Sequence, residues 1–352
     1  MIDLEEIIDT AHQANASDIH IVCGLPIKCR IDGKITSLTS EPLSNAECEA
    51  YARALSGERY EDMREIGELD LARTFACGIR TRVNIFRQKG TVSAAIRILA
   101  DHIPELEELG LPPVISDFSE YQSGIVLVTG ETGSGKSTTL AALLNRINRT
   151  RQGHIITLED PIEYVYTPSK CIINQREIGR DTRSYADGLR SILREDPDVI
   201  LIGEMRDLST IETALTAAET GHLVFATLHT NSAADSIDRM IGVFPEGQQR
   251  QIRLQVSTTL RAVVSQQLLP CKSGKGRIAA CEIMMVNSAI RNLIREGKTP
   301  QIDSYITMNA QEGSINMDSC LQNLVKQELI SKETALAHCR NQEIFEKNKY
   351  RF

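Results

Sequence analysis

Apolar residues along this chain follow two rhythms, and the change between them divides it. Residues 4–14 carry apolar side chains at helical spacing, which predicts an amphipathic helix at the start. Residues 27–31 and 34–38 flank Asp32-Gly33, the signature of a two-residue hairpin in which both turn positions accept positive φ. Over residues 78–87 the pattern alternates, with Ile79, Val83 and Ile85 on one face and Arg80 and Arg82 on the other. Pro104, Gly110, Pro112 and Pro113 break the pattern, so 101–120 reads as a linker after a first domain at 1–100. From Tyr121 on, apolar runs at 125–128, 155–158, 199–202 and 223–228 alternate with helix-like stretches, the rhythm of a parallel sheet wrapped by helices. Beyond Pro245 the pattern reads as mostly helical. The expected architecture is therefore α/β, with a second domain over 121–270 and a helical C-terminal region over 271–352.

The first apolar run of that second domain leads into GETGSGKST, residues 130–138, and a helix-like run follows. Gly130, Gly135, Lys136 and Ser137 fit the phosphate-loop pattern, and strand before and helix after is the context it requires. Glycines, Gly133 included, let the backbone N–H groups turn inward toward phosphate oxygens. Thr132, Ser134 and Thr138 complete the cradle. Lys136 reaches the outer phosphates, and the Ser137 hydroxyl is placed for a magnesium ion. The expected ligands are ATP and Mg²⁺.

In nucleotide-binding parallel sheets the reactive groups gather at the carboxyl ends of the strands. The second run ends in Glu159, Asp160 and Glu163; the third ends in Gly203-Glu204-Met205-Arg206-Asp207; the fourth runs from His222 to His229. Glu204 is placed to orient or deprotonate an attacking water, although Gly203 precedes it where an aspartate often holds magnesium. Glu163 is the candidate to assist with the metal, by way of water. His229 can sense a terminal phosphate. His222 opens the same strand; about seven residues at ~3.3 Å each separate the two histidines by about 20 Å, so only one can reach a given phosphate. Arg80, Arg82 and Arg97, all in the first domain, are candidates for an arginine finger, serving by domain closure or from a neighbouring subunit.

Composition narrows the alternatives. With 352 residues, 41% of them hydrophobic and 24% charged, the chain has length for two cores, and its net charge of −8 disfavours a protein whose main work is coating nucleic acid. No Lys or Arg precedes Lys28 and no apolar run approaches the ~20 residues of a membrane span, so a cytoplasmic protein is expected. Nine cysteines without a C-x-x-C pair suggest neither a disulfide framework nor zinc, and magnesium is the only metal expected.

Taken together, GETGSGKST, TLEDPIEY, DPDVILIGEMRD and TGHLVFATLHTNSA resemble the Walker A, Asp, Walker B and His boxes of the secretion ATPase superfamily. The string AIRNLIREGKTPQI, residues 289–302, resembles the motif of its type IV pilus retraction branch, the twitching-motility ATPases. The likeness runs from SDIHI near the start to MDSCLQNLVKQELISKETAL. It implies a PAS-like first domain, a RecA-like second domain, a homo-hexameric ring with ATP at the domain junction, and action on the pilus machinery through an inner-membrane platform protein, at the inner face of the cytoplasmic membrane. It also implies Glu204 as catalytic carboxylate, Glu163 on metal or water, and first-domain arginines at the nucleotide. The N-terminal domain and four-cysteine zinc element usual among pilus-assembly and type II secretion relatives are not found, which favours retraction over assembly. Glu131 stands where the family usually has proline; Pro300 and residues 313–316 also depart from the pattern. Outside this family, a nucleic-acid-translocating ATPase would share the phosphate loop and sheet, but the basic or aromatic tract it needs is missing. A nucleotide-dependent scaffold with negligible turnover is a third alternative. Residues 289–296 read on their own form a short amphipathic helix, with Ile290, Leu293 and Ile294 on one face and Arg291 and Arg295 off it.

Overall fold

A computed structural model describes residues 2–31, 33–99, 102–342 and 345. It divides into two compact units, Met1–His102 with Pro161–Tyr164, and Ile103–Asp160 with Val165–Phe352. Each builds its own sheet.

In the first unit, β1 (Asp18–Ile21), β2 (Lys28–Ile31), β3 (Lys34–Ser37), β4 (Glu68–Thr74), β5 (Arg80–Gln88) and β6 (Thr91–Ile98) form one sheet in the order β3-β2-β1-β6-β5-β4. Every pairing is antiparallel. The expected helix is Leu4–Gln13, and its apolar stripe of Leu4, Ile7, Ile8 and Ala11 is buried. A second helix, Asn45–Ser56, starts at a capping box in which Ser44 and Glu47 satisfy each other's backbone N–H groups. Both helices contribute to a core that also holds Ile19, Ile21, Val83, Ile85 and Ile96. The alternation expected along β5 is present: Thr81, Val83 and Ile85 are buried, while Arg80 and Arg82 lie on the opposite, half-buried face. The two strands expected at residues 27–38 pair as β2 and β3. Asp32, the first turn residue, lies outside the described residues; Gly33 has φ +78°.

The second unit contains β7 (Gly124–Thr129), β8 (Gly153–Glu159), β9 (Cys171–Glu177), β10 (Val199–Ile202), β11 (Leu223–Leu228), β12 (Leu260–Pro270) and β13 (Arg277–Met285), ordered β13-β12-β7-β11-β10-β8-β9. All neighbours are parallel except β12 and β13. Every residue of β7, β10 and β11 is buried, which is why these strands read as unbroken apolar runs. The stretch after Pro245 is largely helical, as expected, but not wholly so: β12 and β13 extend the sheet, and their apolar runs are interrupted by Ser265, Gln266, Gln267 and Glu282, polar residues of which only Gln267 is not fully buried. Nor is 101–120 a free connector. Its prolines give short 3-10 turns at Leu106–Leu109 and Pro113–Glu120, Ile115 and Phe118 are fully buried, and Glu105 and Glu107 pair with Arg149 and Arg146 of the helix Lys136–Thr150.

Candidate nucleotide site

The phosphate loop joins the carboxyl end of β7 to the helix Lys136–Thr150, whose first turn it caps with Gly135 in the left-handed region. Gly130 (φ +141°), Gly133 (φ +82°) and Gly135 (φ +90°) all hold dihedrals that L side chains rarely adopt. Close packing adds a second constraint at two of them. A Cβ on Gly130 would lie 2.3 Å from the Gln266 carbonyl oxygen, and one on Gly135 would lie 2.7 Å from Gln266 Nε2. Lys136, only 9% exposed, donates from Nζ to the Gly130 carbonyl (2.8 Å) and the Glu131 carbonyl (2.9 Å). Its ammonium therefore sits over the inner curve of the loop, where phosphate oxygens would compete for it. Ser137 is exposed at the second position of this helix.

Gln266 was not legible as a site residue. Its Nε2 donates to the Ser134 carbonyl at 2.8 Å, and its Oε1 accepts from Thr139 Oγ1 at 2.9 Å, so one side-chain amide ties the loop to the helix it opens. One position earlier, Ser265 Oγ and Thr129 Oγ1 lie 2.9 Å apart, joining β12 to the last residue of β7. Two buried polar residues inside an apolar run were the available signal, since a buried amide needs partners.

Glu204 follows β10, as expected. Its Oε2 is 2.7 Å from an Arg206 Nη2 and its Oε1 is 3.3 Å from His229 Nε2, with the carboxylate side chain 18% exposed. Burial pushes this carboxyl up, but the Arg206 hydrogen bond and the His229 charge outweigh that and hold it below the usual carboxylate range. Gly203 has a steric reason: a Cβ there would meet Tyr185 Oη at 2.9 Å and the Leu158 carbonyl oxygen at 3.1 Å, leaving no room for an aspartate. Tyr185 stays a neutral phenol, because burial and the carboxylates of Asp160 and Glu204 raise its pKa. Thr227 Oγ1 donates to the Gly203 carbonyl and Met205 N–H to the Thr227 carbonyl, so the Glu204 loop is pinned to β11.

The structure thus brings together the phosphate loop on β7, Glu204 after β10 and His229 after β11, at the carboxyl ends of adjacent parallel strands. It does not bring His222 to them. That residue precedes β11 at its amino end, and its Nδ1 is 2.8 Å from the Ala217 carbonyl and 3.1 Å from Thr220 Oγ1, a local helix-terminating role. Glu163 belongs to the Pro161–Tyr164 segment of the first unit. In that unit Arg80 Nε donates to the Ile162 carbonyl at 3.1 Å, and Arg97 pairs with Asp18 at 3.0 Å. Arg82 and Arg97 are register partners across β5 and β6, so the two cations share a face. Among the described residues no group of three His, Cys, Asp or Glu side chains forms a metal cage.

The fold and these boxes can be compared with known proteins. The family model for the type II/IV secretion system protein matches residues 1–346. The type IV pilus retraction ATPase PilT of Pseudomonas aeruginosa is 46% identical over 335 residues, covering 95% of this chain and 97% of the relative. A crystal structure of the pilus retraction motor PilT with bound ADP superposes with a TM-score of 0.92 at 46% identity, covering 99% of this chain and all of the other. The Legionella pneumophila ATPase DotB follows at TM-score 0.81 and 30% identity, covering 95% of this chain and 94% of that one. The chain belongs to the type II/IV secretion system protein family.

Proposed function

We propose that this protein is an ATPase whose turnover drives retraction of a type IV pilus. The observation that carries the proposal is the convergence of a strand-bound phosphate loop with a Glu204 held ionised between Arg206 and His229. Phosphoryl transfer needs charge placement and an oriented water, and both are what this arrangement supplies. Glu204 holds that water, Lys136 and the loop N–H groups hold the phosphates, and His229 links the two. Retraction as the work performed is supported by likeness to the P. aeruginosa retraction ATPase along almost the whole chain, residues 289–302 included.

Magnesium fits the residues present. It retains several waters and binds mostly through substrate phosphates, so one exposed hydroxyl, Ser137, at the head of the helix is a sufficient protein ligand, and no acidic cage is needed. An ion held there by Ser137 would supply positive charge against the phosphates. Glu163 completes its water shell in this reading, and arginines of the PAS-like first domain, Arg80, Arg82 or Arg97, complete the site in a homo-hexameric ring. The ring works at the inner face of the cytoplasmic membrane on a platform protein of the pilus machinery. The test compares filmed pilus retraction in cells lacking the gene with cells carrying Glu204→Gln, alongside phosphate release by the purified proteins. Wild-type release with normal retraction in the deleted strain would separate the ATPase from this purpose.

A further inference from the structure

The loop that carries His229 is held from an unexpected direction. After the helix Lys332–His338 the chain turns, and the Asp318 carboxylate, 5% exposed, accepts from the backbone N–H of Arg340 at 2.8 Å and of Asn341 at 3.1 Å. This anchors the backbone and aims the Arg340 side chain inward. There Nη1 lies 2.8 Å from Glu282 Oε2 and Nη2 donates to Glu282 Oε1 at 3.1 Å; Glu282, on β13, is fully buried. The same Nη2 donates to the Asn231 carbonyl at 3.1 Å, and the same Glu282 Oε1 accepts from the Ala233 N–H at 2.9 Å. Asp303 adds a contact to Nη1 at 3.4 Å. Residues 231 and 233 flank a Ser232 that caps the next helix. The ion pair therefore grips the His229 loop at two backbone points, two and four residues past the histidine.

Its other connections lead to the same site. Glu282 pairs in register with Ser265, whose hydroxyl meets Thr129, the residue before the phosphate loop. Asn231 Nδ2 donates to Glu131 Oε1 of the loop at 3.4 Å. Only the Glu282 end of the pair is buried, the Arg340 side chain being 32% exposed, and desolvation of that carboxylate offsets much of the attraction, so stability alone is a poor account of the contact. A planar guanidinium that spans a carboxylate and a carbonyl fixes geometry.

We propose that Arg340 is a positioning residue for hydrolysis: paired with Glu282, it holds the Asn231 carbonyl and thereby keeps His229 against Glu204. The proposal rests on the ATPase reading above. It assigns to the C-terminal segment a part in turnover, without any contact to the nucleotide.

The test uses the full-length protein and four readouts: kcat for ATP, ADP affinity by calorimetry, cooperative melting, and hydrogen exchange of residues 229–233. Arg340→Gln should lower kcat by about tenfold or more while ADP affinity stays within about threefold, the pattern of a group that acts on the transition state alone. Arg340→Lys should recover part of kcat, since an ammonium keeps the charge but cannot span both acceptors. If Arg340→Gln does not melt cooperatively, the paired variant Glu282→Leu with Arg340→Leu takes its place, because apolar replacement of both partners leaves no uncompensated charge. That pair should fold and still turn over slowly, with faster exchange at 229–233. A folded Arg340→Gln with kcat within about threefold of wild type, a paired variant of full activity, or kcat and ADP affinity falling together would each overturn the proposal. Should the wild-type protein release no phosphate, the ATPase reading fails, and the exchange of 229–233 in the variants decides the positioning by itself.

Discussion

A carboxylate 18% exposed, touched by a guanidinium and an imidazole, behaves differently from a solvated one. Glu204→Gln keeps the shape and most hydrogen bonds but loses the base, so turnover should fall by ~10² or more with ADP affinity nearly unchanged; turnover within a few fold of wild type would remove Glu204 from the chemistry. The depressed pKa also has a sign. A carboxyl held below its ordinary value stabilises the folded state above that value and loses the contribution as pH falls through the lowered one. The wild-type protein should therefore melt above Glu204→Gln at neutral pH, and the gap in melting temperature should narrow as the buffer is made acidic through the lowered value; a gap independent of pH would show that the ionised carboxylate adds nothing to the fold. Among the nine free cysteines, burial pushes the Cys48 thiol up to about 11, whereas Cys77 is exposed. At pH 8 only about one Cys48 in a thousand is thiolate, so brief alkylation of native protein should label Cys77 and spare Cys48, as peptide mass mapping would reveal. Equal labelling would mean that the first unit opens on the timescale of the reaction.

At the scale of elements, the helix Ser288–Glu296 offers a test that distinguishes hydrolysis from retraction. Asn287 caps it, Gly297 ends it in the left-handed region, and Ile290, Leu293 and Ile294 are buried, as its amphipathic pattern predicts. Arg295 is exposed and Arg291 half-buried. Alanine at both leaves the apolar face in place and should cost about 1 kcal/mol or less of stability. ATP hydrolysis by the purified variant should persist while filmed retraction fails; normal retraction would remove these arginines from force transmission, and loss of both would make the helix a structural one. Strands β7, β10 and β11 were legible because burial on both faces makes each an apolar run, and the phosphate loop because its glycines obey backbone geometry. β12 and β13 were not, since the polar residues that break their runs are the ones the site uses: Gln266 to brace the loop, Ser265 to join β7, Glu282 to hold Arg340. Strand β9 escaped notice for another reason. It is a sheet edge whose Ile172 faces solvent, so no hydrophobic period marks it. His222 lies at the amino end of β11, as its place before that apolar run implied, and so stands about a strand's length from the carboxyl end where His229 and the phosphate loop meet.

For the whole molecule, the proposed ring makes a mixing experiment informative. If Arg82 or Arg97 serves a neighbour's nucleotide, assemblies of Arg→Ala and Glu204→Gln subunits, each inactive alone, should regain part of the hydrolysis. Mixed assemblies verified by native mass spectrometry, yet still inactive, would place those arginines outside a shared site. A different consequence follows from the brace that Gln266 lends to the phosphate loop. The contact spans 132 positions. During synthesis at ~5–20 residues per second, the loop leaves the ribosome roughly 7–26 s before its brace does. A nascent chain stalled before Leu260 therefore carries the full phosphate-loop sequence without the strand that shapes it, and should fail to retain nucleotide on a ribosome-bound pull-down, whereas a complete chain should retain it. Nucleotide would then be unable to template the early fold; it arrives as a ligand of a finished sheet.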